Sequence, residues 1–258
     1  MNPAQSPLIV FMTDFGNDPY VGVMKGQILQ TNPSVKILSL SNHIQNHNIR
    51  QGAFILLKSF KFFPLNTIFL IVVDPGVGGP RKAVGAHINN YYFIGPDNGI
   101  LYPIISEYEE ASVVDLPIPK NVPYTFHGRD VFAPAVGILS QTYNLSDLGP
   151  PSVLKTSLNF HWNPNASSGE VIFIDHFGNI ITNLPDSMNL KFNKEYLLTT
   201  KRIEFSASLK RSYYEGSDQN PFLLINSFNT LEIALQNRKA SDLLDILSGD
   251  RIQIHLNN

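Results

Sequence analysis

Between Leu8 and Val73, three short apolar runs alternate with two stretches of helical spacing, and this alternation is the strongest constraint on the fold. Leu8 to Met12 reads as a strand and is followed by the turn chemistry of Asp14, Gly16 and Pro19. From Tyr20, apolar residues fall at Val21, Met24, Ile28 and Leu29, one face of a helix. Asn32-Pro33 ends it, because the residue before a proline is pushed out of the helical region. Val35 to Leu40 is a second strand, and Ile49, Ala53, Leu56, Leu57 and Phe60 mark a second helix face. Thr67 to Val73 is a third strand, apolar and β-branched as a strand covered on both faces should be. A βαβαβ order requires a layered α/β domain with a mainly parallel sheet. Ala83 to Ile88 and Tyr91 to Gly95 add a hairpin turning at Asn89-Asn90, and a helix is expected from near Gly128 to Leu139.

The pattern changes near residue 150. Gly149-Pro150-Pro151 and the Asn163 to Gly169 stretch are linker-like. Beyond them Val171 to Ile174, Tyr196 to Thr199, Phe222 to Asn226 and Arg251 to Leu256 read as short strands, and Leu231 to Leu235 as a strand or a helix start. Ala240 to Leu247 has helical spacing before Gly249. The expectation is an α/β domain over residues 1–160 and a smaller all-β domain over 168–258, a barrel or a sandwich.

Composition narrows the function classes. The 19 Lys+Arg and 21 Asp+Glu give a net charge of −2, which offers no basic excess for a phosphate backbone, so no nucleic-acid partner is expected. The longest apolar run, Ile68 to Val73, is far short of the ~18 residues that span a bilayer, so no membrane partner is expected either. With no Cys, disulfides, thiolate zinc sites and a cysteine nucleophile are excluded. Met1 to Pro7 lacks the basic and apolar regions of a secretory signal, which points to a cytoplasmic protein. Sparse charge at 16% and aromatics at 11% suggest that some surface is buried against another copy.

Polar residues gather where ligands bind in an open parallel sheet, beyond the carboxyl ends of the strands. Strand one runs into Thr13-Asp14-Phe15-Gly16-Asn17-Asp18, and strand three into Asp74-Pro75-Gly76-Val77-Gly78-Gly79-Pro80-Arg81. Either Asp alone is an ordinary turn former, but two on one sheet edge can face one cleft. The glycines before Arg81 match neither a dinucleotide fingerprint nor a P-loop, so the loop is read as a turn that brings Arg81 back toward Asp74. Phe126-His127-Gly128-Arg129-Asp130 opens a helix, whose amino end favours an anion or is simply a capped terminus. His43 and His47 lack an acid to complete a metal site and read as solvated surface. Pro96-Asp97-Asn98-Gly99 and Asp175-His176-Phe177-Gly178-Asn179 are the remaining clusters, each readable as a plain turn.

In combination these motifs, with Tyr20-Val21-Gly22-Val23-Met24-Lys25-Gly26 and Ile225-Asn226-Ser227-Phe228, resemble the S-adenosylmethionine hydroxide adenosyltransferases, relatives of the fluorinases and chlorinases. The resemblance runs from about residue 8 to 250, with the motifs in order. It implies an α/β domain plus a β-barrel, a homotrimer with sites at subunit boundaries, and hydrolysis of S-adenosylmethionine to adenosine and methionine by hydroxide attack at the ribose 5′ carbon. It implies no cofactor and no metal, since S-adenosylmethionine is the substrate. By position, Asp74, Arg81 and His127 match the set that prepares the water, with Asp74 or His127 as proton acceptor. Asp14 matches the carboxylate on the ribose hydroxyls, and Asp18 lies in the same substrate-binding loop. Asp175 and Ser227 match residues around the methionine amino and carboxylate groups, and Asn179 and Tyr213 match positions around the adenine.

Departures separate the branches of that family. Fluorinases carry Tyr and Thr where this chain has Asp74 and the Gly76 to Gly79 run, and a carboxylate there repels a halide. They also carry an Arg where this chain has Phe228, which removes one charged partner for a carboxylate. The hydrolase branch is therefore favoured. The alternatives are a non-catalytic S-adenosylmethionine or adenosine binding module and a halide-dependent 5′-halo-5′-deoxyadenosine synthase.

Overall fold

The computed structural model describes residues 6–108 and 110–256; most of the Met1 to Pro7 stretch read above for a secretory signal lies outside them. The chain divides into two compact units, residues 1–159 and 160–258.

In the first unit, β1 (Leu8–Thr13), α1 (Tyr20–Thr31), β2 (Lys36–Ser41), α2 (Ile49–Ser59) and β3 (Ile68–Val72) follow in the order the sequence demands. The hairpin β4 (Ala83–Ile88) and β5 (Tyr91–Pro96) comes next, then α3 (Tyr102–Ile105), β6 (Ser112–Leu116) and α4 (Ala133–Thr142). The sheet has six strands in the order β2-β1-β3-β5-β4-β6. Its first four are parallel, and β4 runs against both neighbours. Alternation along β1 sends Ile9 and Phe11 into the core shared with Met24 and Ile28 of α1 and Val136 and Leu139 of α4. Met12 lies on the opposite face, toward Gly52 of α2. Helices thus cover both faces, which is why β3 is buried along its whole length.

Three elements differ from expectation. The segment at Gly128 opens as a π-helical turn, Gly128–Phe132, and α4 continues past Leu139 to Thr142, where Tyr143 adopts left-handed geometry (φ 51°) and stops it. Strand β6 was not expected; it pairs with β4, and on its other side Asp115 and Ser152 donate backbone N–H groups to Pro150 and Val113 carbonyls. Gly149-Pro150-Pro151 is therefore hydrogen-bonded to a sheet edge. Proline is tolerated there because an edge residue need not donate to the ladder.

The second unit is a closed barrel in the order β10-β11-β12-β8-β7-β13-β9. Its strands are β7 (Ser168–Ile174), β8 (Ile180–Pro185), β9 (Glu195–Thr200), β10 (Glu204–Leu209), β11 (Phe222–Ile225), β12 (Thr230–Ala234) and β13 (Arg251–His255). Val171, Ile180, Leu198, Leu223, Ile233 and Ile252 are among the side chains filling it. The segment at Leu231 is a strand. The helix expected over Ala240 to Leu247 is one turn only, α5 (Ala240–Leu243). After it Leu244 and Ile246 are buried while Leu243 and Leu247 are exposed. The chain leaves the helix because an extended path turns alternate residues into the barrel core.

Candidate active site

Parallel pairing of β1 with β3 aligns Thr13 with Val72, so the loops that follow both strands leave the same sheet edge. They bring Asp14 and Asp74 into one cavity of about 460 Å³, which Phe15, Tyr20, His47 and His127 also line. Asp14 accepts a hydrogen bond from the His47 backbone N–H at 2.9 Å. Phe15, Tyr20 and Phe126 pack as tilted and edge-on rings 5.3–6.0 Å apart, an apolar wall beside the acids. Asp18 stands exposed in the turn before α1, outside this lining.

The loop after β3 makes two successive turns, with Val77 N–H donating to the Asp74 carbonyl and Gly79 N–H to that of Gly76. Gly78 permits this path: its φ is +76°, and a Cβ there would sit 2.5 Å from the Tyr124 carbonyl oxygen. The turns return Arg81 onto Asp74. Arg81 Nε donates to both carboxylate oxygens at 3.0 and 3.1 Å, and Nη2 donates to Oδ2. Both side chains are buried, 8% and 3% exposed. Behind Asp74, the Asn98 amide donates to the Val73 carbonyl at 2.8 Å, so the Pro96 to Gly99 turn braces the end of β3.

Arg81 Nη2 also lies 2.9 Å from Nδ1 of His127. A guanidinium can only donate, so Nδ1 must be the acceptor and the imidazole proton sits on Nε2. His127 is 1% exposed. Burial, and then the positive charge of Arg81, hold its pKa below the ordinary histidine value, against the opposing charges of Asp74 and Asp130. Its ring is placed by the π turn that follows, where Gly128 lies close under Met24: a Cβ there would sit 2.7 Å from Met24 Sδ and push that side chain aside. Among the described residues, His127 Nε2 and Arg81 Nη1 are buried and have no hydrogen-bond partner. Two hydrogen-bond donors thus remain unused in a buried cluster whose other bonds are satisfied. They suit an acceptor of negative character.

A second polar cluster lies in the barrel unit. Asp175 Oδ1 accepts the backbone N–H groups of Phe177 and Asn179 at 2.9 and 2.8 Å, and Oδ2 accepts from Asn179 Nδ2 at 3.0 Å. Asn179 Nδ2 also points to the Tyr213 hydroxyl at 3.4 Å, and that hydroxyl donates to Glu232. Asn179 and Tyr213 line a cavity of about 990 Å³ together with Phe177, Tyr214 and Arg238. Ser227 is outside it, exposed in the β11–β12 turn that Asn226 closes by accepting the Phe228 and Thr230 N–H groups.

Two members of these clusters are not read from the sequence: the backbone N–H of His47, whose side chain reads as solvated surface, and Glu232. His47 contributes a backbone donor, which has no side-chain signature. Glu232 had a signal, an acid at the centre of the apolar run Leu231-Glu232-Ile233-Ala234. His43 and His47 are exposed, and among the described residues no group of three His, Cys, Asp or Glu side chains is placed to hold a metal ion.

The α/β unit carries a cavity lined by acids at its strand ends, and the barrel unit carries a separate polar pocket lined by aromatic rings, both of the size and character of small-molecule sites. Residues 9–149 match the SAM hydroxide adenosyltransferase N-terminal domain, and residues 169–253 match the C-terminal domain. The chain is 34% identical to the (R)-S-adenosyl-L-methionine hydrolase of Methanocaldococcus jannaschii, across 96% of this chain and 95% of that one. It is more distantly similar to a fluorinase of an Actinoplanes species, 25% identical over 89% of this chain and 91% of that one. Among solved structures, a conserved protein of Thermotoga maritima superposes with a TM-score of 0.89 at 33% identity, covering 96% of this chain and all of the other. The chain belongs to the SAM hydroxide adenosyltransferase family.

Proposed function

We propose that the protein hydrolyses S-adenosylmethionine to adenosine and methionine. A hydroxide attacks the ribose 5′ carbon in line with the carbon–sulfur bond, and the bonding electron pair leaves with sulfur. The sulfonium becomes a neutral thioether as it departs, so the leaving group needs no proton. What must be supplied is hydroxide at neutral pH.

The observation that carries this reading is the pair of unpartnered donors, Arg81 Nη1 and His127 Nε2. Buried donors directed at an oxygen favour its anionic form. With Nδ1 engaged by Arg81, neutral His127 serves as a donor and not as the base. Among the described residues Asp74 Oδ1 accepts from Arg81 Nε only and keeps a lone pair, so Asp74 accepts the water's proton. Asp14 holds the ribose diol, since one carboxylate accepts from two hydroxyls at once. Asn179 and Tyr213 meet the adenine, and Asp175, Ser227 and Asp18 serve the methionine portion. A carboxylate at Asp74 favours this reaction over halide transfer, because it would repel the halide.

The proposal extends to a homotrimer with sites completed at subunit boundaries, consistent with the exposed Phe177, Tyr213 and Tyr214, and to a cytoplasmic location, where such a substrate occurs. Sedimentation as a monomer would remove the first and fractionation outside the cytoplasm the second. Turnover is tested by incubating the protein with S-adenosylmethionine and separating the products chromatographically. Adenosine and methionine in equal amounts are expected. Binding of adenosine without turnover would mark a binding module, and a halogenated nucleoside in added chloride or fluoride would mark a synthase.

A further inference from the structure

Asp74 and Arg81 meet across a loop, Pro75 to Pro80, that is exposed except for the half-buried Gly78. Its turns are closed by backbone bonds of 3.2 and 3.0 Å. Bonds in an exposed loop are weak restraints, because water competes for each donor and acceptor. How Arg81 sits against Asp74 therefore depends on where the loop is rooted, at Val73 on one side and Lys82 on the other.

Both roots are held by one dipeptide. Asp97 donates its backbone N–H to the Lys82 carbonyl at 2.9 Å, and Asn98 donates Nδ2 to the Val73 carbonyl at 2.8 Å. The pairing of β3 with β5 ends at Leu70 and Ile94, so the Asn98 side chain reaches a root that lies beyond the ladder. Its amide has one workable orientation. Oδ1 accepts the Ile100 N–H at 3.2 Å, and a turned amide would set oxygen against the Val73 carbonyl. The dipeptide is anchored in its turn: Asp97 is buried, and its carboxylate accepts the Lys155 and Thr156 N–H groups at 2.8 and 3.2 Å. Of the two bonds to the roots, the one from Asn98 is made by a side chain.

We propose that Asn98 is a positioning residue for the attack step: by tying the Asp74 root to the Arg81 root, it keeps Arg81 seated between Asp74 and His127. This rests on reading that cluster as the set that prepares the hydroxide. Steady-state turnover of S-adenosylmethionine by the full chain tests it, together with adenosine calorimetry and an NMR titration of the His127 ring without substrate. Asn98→Ala should lower kcat on the order of 10²-fold, the scale of a misplacement of about 1 Å. Adenosine affinity should stay within about threefold, or ~0.6 kcal/mol. The His127 titration should move up toward its ordinary value, since a displaced Arg81 no longer opposes protonation of the ring. Thr156→Val removes the hydroxyl bond to the Asp97 carbonyl at 3.0 Å and touches neither root, so it should move none of these readouts. Should Asn98→Ala fail to fold, Asn98→Asp keeps the shape and the Ile100 bond but sets an acceptor against the Val73 carbonyl. Assayed above the carboxylate range, it should show the same changes. A purely structural role would lower the melting temperature while leaving kcat and the His127 titration unmoved, or would make Thr156→Val as damaging as Asn98→Ala; either result overturns the proposal. Normal kcat in folded Asn98→Ala refutes the proposal alone. An unaltered protein that releases no adenosine refutes the hydroxide reading and the proposal with it.

Discussion

Replacing Arg81 by Lys tests the hydroxide-stabilising array while keeping its charge. Arg81 makes several contacts at once: Nε to both Asp74 oxygens, Nη2 to Asp74 and to His127 Nδ1, and a spare Nη1. A lysine ammonium is a single point and cannot span Asp74, His127 and a bound hydroxide together. The substitution thus removes one preorganised donor from the attacking oxygen and the bond that fixes the His127 tautomer. Loss of one such donor costs about 3–4 kcal/mol, so kcat should fall on the order of 10²–10³-fold. Adenosine affinity should stay within about threefold, because that array does not hold the base; a factor of three is ~0.6 kcal/mol. Stability should drop less than in Arg81→Ala, which leaves the Asp74 charge buried and unpaired at a cost of about 3–5 kcal/mol. The assay is adenosine release by chromatography, with calorimetry and thermal melting on the same preparations. A folded Arg81→Lys protein with near-normal kcat would refute the reasoning.

Asp14→Asn should raise KM on the order of 10–100-fold through loss of hydrogen bonds to a charged acceptor, with a smaller effect on kcat, as read from steady-state kinetics. Gly78→Ala should lower both melting temperature and kcat, since a side chain at φ +76° and 2.5 Å from the Tyr124 carbonyl must displace the loop that carries Arg81. His127 has a folded-state pKa below its unfolded value of about 6.5, so its contribution to stability is complete above that pH and fades as pH falls from there toward the folded value. Denaturant midpoints of the unaltered protein should therefore fall more between pH 8 and pH 5.5 than those of His127→Asn, both values chosen to bracket the histidine range of about 6.5. Parallel slopes would contradict the assignment.

The parallel half of the fold was readable because β1, β3, α1 and α2 carry strong periodicity and clear stops such as Asn32-Pro33. Strands β6, β8 and β10 were missed, although Glu204–Leu209 alternates polar Glu204, Ser206 and Ser208 with apolar Phe205, Ala207 and Leu209, the period-2 pattern of a half-buried strand. In Ala240 to Leu247, barrel burial of Leu244 and Ile246 overrode a helical spacing. In the site, side chains of distinctive chemistry stood out by type: Asp14 and Asp74 follow apolar strands, and Arg81 returns through glycines. What stayed hidden was direction. That His127 accepts through Nδ1, that His47 supplies a backbone N–H and that the Tyr213 hydroxyl donates to Glu232 all depend on which atom faces which.

The most direct test of the account is turnover of S-adenosylmethionine in water enriched in oxygen-18, with mass analysis of both products. Hydroxide attack at the 5′ carbon predicts one labelled oxygen in adenosine and none in methionine. Unlabelled adenosine, or label in methionine, would contradict it.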